Sequence, residues 1–214
     1  MNNENEVMEK APVLTRKDCV KGAIRWSLIA TTTFNYDTQL APAVVFGIGP
    51  LLRKIYKDDD EYVEALNNHY KYFNTMPWLA NIVLGATLAL EDKEGISSLD
   101  AVQNIKVSLM GPLAGIGDSF IWGTLRIIAT GVGLSLANQG NILGPILFLL
   151  IFNLPAQGLR YYLMNTGYKL GSGFLAKIQQ NGLMSKLTYA ASVLGLMVVG
   201  GMTAENVAIS FPLK

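Results

Sequence analysis

The sequence predicts an all-α, polytopic membrane protein with broken or re-entrant helices and amphipathic helices at the membrane surface. Three observations support this fold class. Only 15% of the 214 residues are charged, whereas an average soluble domain has about 25%. The charges are separated by long apolar stretches, and a membrane-spanning helix needs about 20 mainly apolar residues. Glycine and proline interrupt these apolar stretches repeatedly.

Four stretches are candidate membrane spans because they are almost free of charge. In the first of them Asp37 is the only charged residue, and the other three have none. Each stretch reaches or nearly reaches the length that a span requires. The four stretches are residues 26–52, 72–90, 127–159 and 187–204.

Helix breakers lie inside the first three of these stretches. Non-helical backbone at membrane depth persists only where protein or a water-filled cavity covers it, and transporters place substrate sites at such breaks. The alternative is that glycine and proline are simply commoner in membrane helices than in soluble ones. The breaks favour a transporter over a passive anchor. They are Pro42, Gly47, Gly49, Pro50, Pro77, Gly85, Gly144, Pro145 and Pro155.

The polar segments divide the chain into a tail, surface helices and loops. Residues 1–15 are interpreted as a solvated, cytoplasmic tail without signal-peptide features, and residues 16–214 as the membrane domain. Charged residues 53–61 open a predicted amphipathic helix at the interface. Segments 91–100 and 169–182 are predicted loops, and a helix is expected from near Ala101 after the first loop.

Composition excludes several classes of function. A net charge of +1 provides no field that would attract nucleic acid. With Cys19 as the only cysteine and His69 as the only histidine, a Cys/His metal cluster cannot form. A nucleophile elbow and a P-loop are also missing from the sequence. We therefore expect no metal, no cofactor and no enzymatic activity.

A glycine-rich stretch, residues 106–126, is the most unusual part of the chain. It holds four glycines, Pro112, Asp118 and Arg126 in otherwise apolar sequence. The glycines and the proline are expected to interrupt the helix and to free backbone groups near Asp118. If a helix restarts there, Asp118, Trp122 and Arg126 share one face. Asp118 is then either a functional intramembrane acid or the N-cap of that helix.

This stretch closely resembles the signature of the IID subunits of the mannose/fructose/sorbose family of bacterial phosphotransferase systems (PTS). Residues 69–77, 34–37, 160–162 and 167–168 also match that family's pattern. The chain departs from the mannose-type pattern at residues 37–40 and at Met76, which leaves the sugar open. Family members continue beyond the length of this chain, so we expect the carboxy-terminal part to be missing.

The resemblance implies a multi-pass subunit of the bacterial cell membrane. Such a IID subunit joins a IIC membrane subunit in a hetero-oligomer that binds and translocates a sugar. The soluble IIA and IIB subunits relay the phosphoryl group, and IIB phosphorylates the sugar as it enters. The alternative is a membrane scaffold or receptor subunit that stabilises a partner channel without contacting substrate.

Candidate sugar-binding residues combine acids and amides with an aromatic face, since these groups match sugar hydroxyls and the apolar side of the ring. Trp122 is the expected platform, although an interfacial tryptophan belt is the alternative for this residue. His69 is expected to form a structural or sugar-proximal hydrogen bond, because a phosphoryl carrier needs an exposed imidazole. The candidates are Asn35, Asp37, His69, Asn74, Asp118 and Trp122.

Overall fold

A computed structural model describes residues 11–180, with side chains through Gly171, and the single residues Lys186, Tyr189, Val193 and Met197. All regular structure in this described part is helical, which confirms the all-α prediction. The fourth candidate span lies outside the continuously described residues. The α-helices are α1 (Arg16–Ile29), α2 (Ala41–Ile55), α3 (Asp59–His69), α4 (Ala80–Glu94), α5 (Leu99–Gly117), α6 (Arg126–Ala137) and α7 (Leu143–Gln180).

Two long helical stretches are apolar enough to cross a membrane, Ala80–Ala137 and Leu143–Gly171. In the most apolar window of each, 17% of the residues are buried within the protein. A core helix of a soluble protein would be mostly buried, so the outward apolar surface indicates contact with lipid or another membrane chain. The candidate span at residues 26–52 is interrupted by a non-helical segment between α1 and α2. The interruption does not lie at the predicted helix breakers of this span, because all four of them lie within α2: Pro42, Gly47, Gly49 and Pro50.

The glycine-rich stretch does not break the helix, so the prediction of a helix start near Asp118 is wrong. Helix α5 continues through Pro112 to Gly117, and a π-helix (Asp118–Leu125) connects it directly to α6. Each glycine lowers helix stability by only about 1 kcal/mol, and Gly117 allows a close contact of this helix with Met76. The wider turn of the π-helix changes the directions in which the side chains after Asp118 point.

Two predicted loops are also corrected. Helix α4 continues to Glu94, and a 3-10 helix (Gly95–Ser98) leads directly into α5, so residues 91–100 are mainly helical. Helix α7 extends to Gln180 across the second predicted loop, with a break at Gly171, where φ is 51° and ψ is −144°. Polar composition alone does not end the first of these helical stretches, because Leu90 and Leu99 beside its charged residues are buried in the core.

Helices α4 and α7 form the closest helix pair, and two glycines make this possible. A Cβ on Gly85 would overlap the backbone oxygen of Met164, and a Cβ on Gly167 would overlap the backbone oxygen of Ile82. Small residues let membrane helices approach at backbone distance and gain van der Waals contact. The α4–α7 pair is therefore the central element against which α1 packs.

The start of α1 is fixed by a reciprocal hydrogen-bonded cap. The Thr15 hydroxyl accepts from the backbone N–H of Asp18, and the Asp18 carboxylate accepts from the Thr15 backbone N–H at 3.0 Å. The Nζ of Lys54 donates to the same carboxylate at 2.7 Å, which joins α1 to the end of α2. These hydrogen bonds, led by that of Lys54, lower the pKa of Asp18 from 3.8 to about 2.

We expect Asp18→Asn to lower the free energy of unfolding at pH 6 by about 1 kcal/mol, since the half-exposed Lys54 is screened by solvent. Because the folded pKa is below the unfolded one, the carboxylate stabilises fully above about pH 4 and loses its effect as the pH falls towards 2. Thermal unfolding in detergent between pH 6 and pH 2 measures this. Asp59→Asn, at an exposed pair with Arg53, is the control, and a pH-independent difference for Asp18→Asn would contradict the assignment.

Candidate functional site

A cavity of about 400 Å³ lies where three segments of the chain meet. These segments are the non-helical stretch between α1 and α2, the stretch between α3 and α4, and the junction of α5 with the π-helix. Three of the predicted site residues, Asn74, Asp118 and Trp122, line this cavity together. The remaining lining residues are Thr31, Phe34, Leu40, Thr75, Met76, Pro77, Trp78 and Ala114.

Backbone hydrogen bonds hold the two non-helical segments against each other. The Leu40 N–H donates to the Phe73 carbonyl at 3.0 Å, and the Phe73 N–H donates to the Thr38 carbonyl at 3.3 Å. Between them Gln39 adopts a φ of 58°, a left-handed conformation that is uncommon outside glycine. The pairing fixes one wall of the cavity independently of the membrane helices.

Gly117 brings the helical wall up to this non-helical wall. A Cβ at Gly117 would overlap the Cβ and Cγ of Met76, whereas a Cβ at Gly111 would meet nothing within 4 Å. The two glycines of the same helix therefore have different roles. Gly117 is required for the close approach that encloses the cavity, and the next residue, Asp118, is placed at its edge.

An aromatic wall, formed by Trp78, Trp122 and Phe152, borders the cavity. Trp78 and Trp122 meet edge to face with ring centres 5.4 Å apart, and Phe152 stacks on Trp122 at 5.9 Å. Trp122 is 40% exposed while Trp78 is only 8% exposed. Trp122 is predicted from the sequence as an aromatic platform. Trp78 and Phe152 are not, because each is distinguished only as an aromatic residue near a predicted break.

Two residues that line the cavity contain buried polar atoms without a protein partner. Within the described residues, the Thr75 hydroxyl and the Trp78 indole N–H are buried without a hydrogen-bond partner. Buried polar groups are normally paired, so a ligand or water is expected to meet them. Asp118 and the partly exposed Trp122 line the same cavity.

Asp118 is not an N-cap, which corrects one of the two interpretations of this residue. Its φ of −64° and ψ of −44° are helical, and no side-chain capping bond forms there. An N-cap needs an extended backbone so that its side chain can reach the first free N–H groups. Because the helix continues on both sides, the Asp118 side chain is free for another role.

Two predicted residues, Asn35 and Asp37, belong to the wall segment but do not line the cavity. The Asn35 side-chain oxygen accepts from the backbone N–H groups of Asp37 at 2.9 Å and Thr38 at 2.8 Å. This turn sets the conformation of the segment that places Phe34 and Leu40 at the cavity. Asp37 itself is exposed at the tip.

His69 lies in a separate, fully buried polar cluster. Its Nε2 is 2.8 Å from Glu91 Oε2, Tyr56 donates to the other Glu91 oxygen at 3.2 Å, and Lys106 Nζ donates to the His69 carbonyl at 3.1 Å. Burial, reinforced by Glu91, raises the pKa of Tyr56 well above its usual range, so this hydroxyl remains a donor. The buried imidazole offers no surface to a phosphoryl donor, and Glu91 was not found because its segment was predicted to be a solvated loop.

Comparison with known proteins identifies the family. The model of the PTS system mannose/fructose/sorbose family IID component matches residues 13–214. The mannose-specific EIID component of Escherichia coli K12 is 37% identical over 204 residues, covering 94% of this chain and 71% of that protein. The fructose permease IID component of Bacillus subtilis is 36% identical over 210 residues, covering 96% of this chain and 75% of that protein.

A solved structure agrees with these sequence relatives. The cryo-EM structure of the mannose transporter ManYZ with microcin E492 contains a chain that is 35% identical, with a TM-score of 0.72. The similarity covers 94% of this chain and 74% of that chain. With the outward apolar helices, it supports the assignment to the membrane. The chain belongs to the mannose/fructose/sorbose family of PTS IID components.

Proposed function

We propose that the chain binds a sugar in the cavity between Asn74, Asp118 and Trp122, as one half of a translocation unit. The observation that carries this proposal is the composition of the cavity lining. The lining residues include an acid, an amide and the 40%-exposed Trp122. Two further lining residues, Thr75 and Trp78, carry buried polar atoms without protein partners. A volume of about 400 Å³ is within the usual range for small-molecule sites.

Each of the three residues has a distinct chemical role in this proposal. The Asp118 carboxylate accepts hydrogen bonds from two neighbouring hydroxyl groups, and the Asn74 amide can both donate and accept. The Trp122 ring packs on the apolar face of the sugar. Thr75 and Trp78 supply one further hydroxyl and one N–H donor, which would otherwise stay unpaired.

The partners follow from the family. A IIC subunit is the proposed membrane partner in a hetero-oligomer, IIB phosphorylates the sugar on entry, and IIA supplies IIB. The IID chain then performs transport and no phosphoryl transfer, consistent with the burial of its His69. We place the chain as a multi-pass protein of the bacterial cell membrane with a cytoplasmic amino terminus. The sugar stays open, since relatives are named for mannose, fructose and sorbose.

A cysteine-protection experiment tests the proposal. Ala114 lines the cavity, and the native Cys19 is fully buried. Ala114→Cys in the full-length chain, purified with its membrane partner, should react with a maleimide. We expect mannose, fructose or sorbose to slow this reaction about tenfold when the sugar saturates its site, because bound ligand blocks the cavity.

The matched control for this experiment is Ile142→Cys. Ile142 is 76% exposed at the turn between α6 and α7 and does not line the cavity. Its alkylation rate should be the same with and without sugar. If none of a panel of hexoses and amino sugars selectively protects the thiol introduced by Ala114→Cys, the scaffold alternative replaces the sugar-binding proposal.

A further inference from the structure

An arginine lies behind the aromatic wall of the cavity. The Arg160 guanidinium carbon is 4.5 Å from the ring centre of Trp78, and this arginine is only 5% exposed. Arg160 is not among the residues that line the cavity. It therefore contacts Trp78 from the protein side, while Trp78 in turn meets Trp122 edge to face.

The remaining contacts of Arg160 are too weak to explain its burial. Within residues 11–171 it forms no salt bridge, and its Nε has no hydrogen-bond partner. One nitrogen donates to the Ser27 carbonyl at 3.4 Å. An arginine buried without a carboxylate is unfavourable, so the indole face of Trp78 is the principal group that compensates its charge.

Trp78 is held from a second direction as well. The indole N–H of Trp26 on α1 donates to the Pro77 carbonyl at 2.8 Å, which anchors the backbone immediately before Trp78. Arg160 on α7 then fixes the ring itself. The backbone before Trp78 is thus held by α1 and the Trp78 ring by α7, and neither helix contributes residues to the cavity lining.

We propose that Arg160 is a positioning residue for the sugar site: through Trp78 it fixes the orientation of Trp122, the face on which the sugar packs. This inference rests on the proposed function of the cavity. Trp122 is 40% exposed. Its ring orientation depends on Trp78, on the stacked Phe152 and on Arg126, whose guanidinium carbon is 5.3 Å from its ring centre. Without the guanidinium, Trp78 can rotate into the vacated space, and Trp122 loses its edge-to-face contact.

Fluorine NMR of 5-fluorotryptophan tests the positioning step without sugar, and Trp78→Phe and Trp122→Phe variants assign the two resonances of interest. In the full-length chain with its membrane partner, Arg160→Met should shift and broaden the Trp78 and Trp122 resonances. Its Kd for the sugar identified by cysteine protection should rise about tenfold. Arg160→Lys restores the charge but not the planar stacking, so its Kd should rise only about threefold.

Arg25→Met is the matched control. The Arg25 guanidinium lies 4.1 Å from the ring centre of Phe46, so the same change removes a cation–π contact that does not involve the cavity. It should leave the Trp78 and Trp122 resonances and the sugar Kd unchanged. Unchanged resonances in Arg160→Met, or altered resonances with the Kd of the parent protein, would overturn the inference. If the parent protein binds no sugar, the proposed function is refuted. Altered resonances in Arg160→Met would in that case still support the contact between Arg160 and Trp78.

Discussion

Replacing Gly167 by alanine is expected to separate α7 from α4 and to destabilise the protein by about 3 kcal/mol or more. The added methyl group would overlap the backbone oxygen of Ile82, and a backbone atom cannot move aside as a flexible side chain can. The helices must then part along their length, which removes dispersion contacts that are the main attraction between helices in lipid. Thermal unfolding in detergent, monitored as the loss of monodisperse protein with rising temperature, measures this effect.

Gly158→Ala is the matched control on the same helix. A Cβ at Gly158 would meet nothing within 4 Å, and alanine is the better helix former by about 1 kcal/mol. This variant should be as stable as the parent protein or slightly more so. If Gly167→Ala and Gly158→Ala behaved alike, the close α4–α7 approach would not contribute to stability.

The contrast between these two glycines shows why the sequence predicted the class of fold but not its packing. Charge-free stretches and helix breakers are sufficient to predict membrane helices, because the free-energy cost of removing charged and backbone groups from water is set by the local sequence. Gly158 and Gly167 have the same local effect on a helix. Only the position of Ile82, far away in sequence, makes one of them essential, and a single sequence carries no record of that contact.

The same limit explains the corrected helix boundaries. At Asp118 the local rules for glycine and proline predicted a break, yet the helix continues from α5 into the π-helix. The α5 side packs against Met76 through Gly117, a tertiary contact that outweighs weak local propensity. Similarly, Glu91 was predicted to be a loop residue because of its charge, but in the structure it is fully buried and contacts His69.

The candidate site was predictable in its chemistry and less so in its geometry. Asn74, Asp118 and Trp122 were selected by residue type, as an amide, an acid and an aromatic ring that suit a sugar, and they line one cavity. Asn35 met the same criterion, but its side chain is used by its own turn. Whether a polar side chain is free or already paired depends on backbone geometry, and residue type alone does not reveal it.

Asp118→Asn is expected to lower sugar uptake about a hundredfold while the chain still assembles with its membrane partner. The amide keeps the size of the side chain but removes the charge that strengthens its hydrogen bonds to hydroxyl groups, and each charge-assisted bond contributes about 1.5–3 kcal/mol. Because Asp118 is in the middle of a continuous helix and does not cap one, folding should be largely unaffected. Uptake of radiolabelled sugar by cells that lack other transporters for it measures the effect, and co-purification measures assembly.

Asp100→Asn, in the helix α5 that leads directly into the π-helix of Asp118, provides the acid-to-amide control. Asp100 is exposed in the first turn of α5 and does not line the cavity, so uptake should stay within about twofold of the parent, the change expected from a weaker helix-dipole interaction alone. Comparing the two variants separates the loss of a carboxylate at the cavity from the loss of negative charge on α5. Parent-like uptake by Asp118→Asn would remove Asp118 from the sugar site, whereas loss of uptake together with loss of the partner subunit would assign the carboxylate to assembly. Loss of uptake with intact assembly is the result expected if the sugar binds where we propose, because Asp118 and Trp122 line the same cavity.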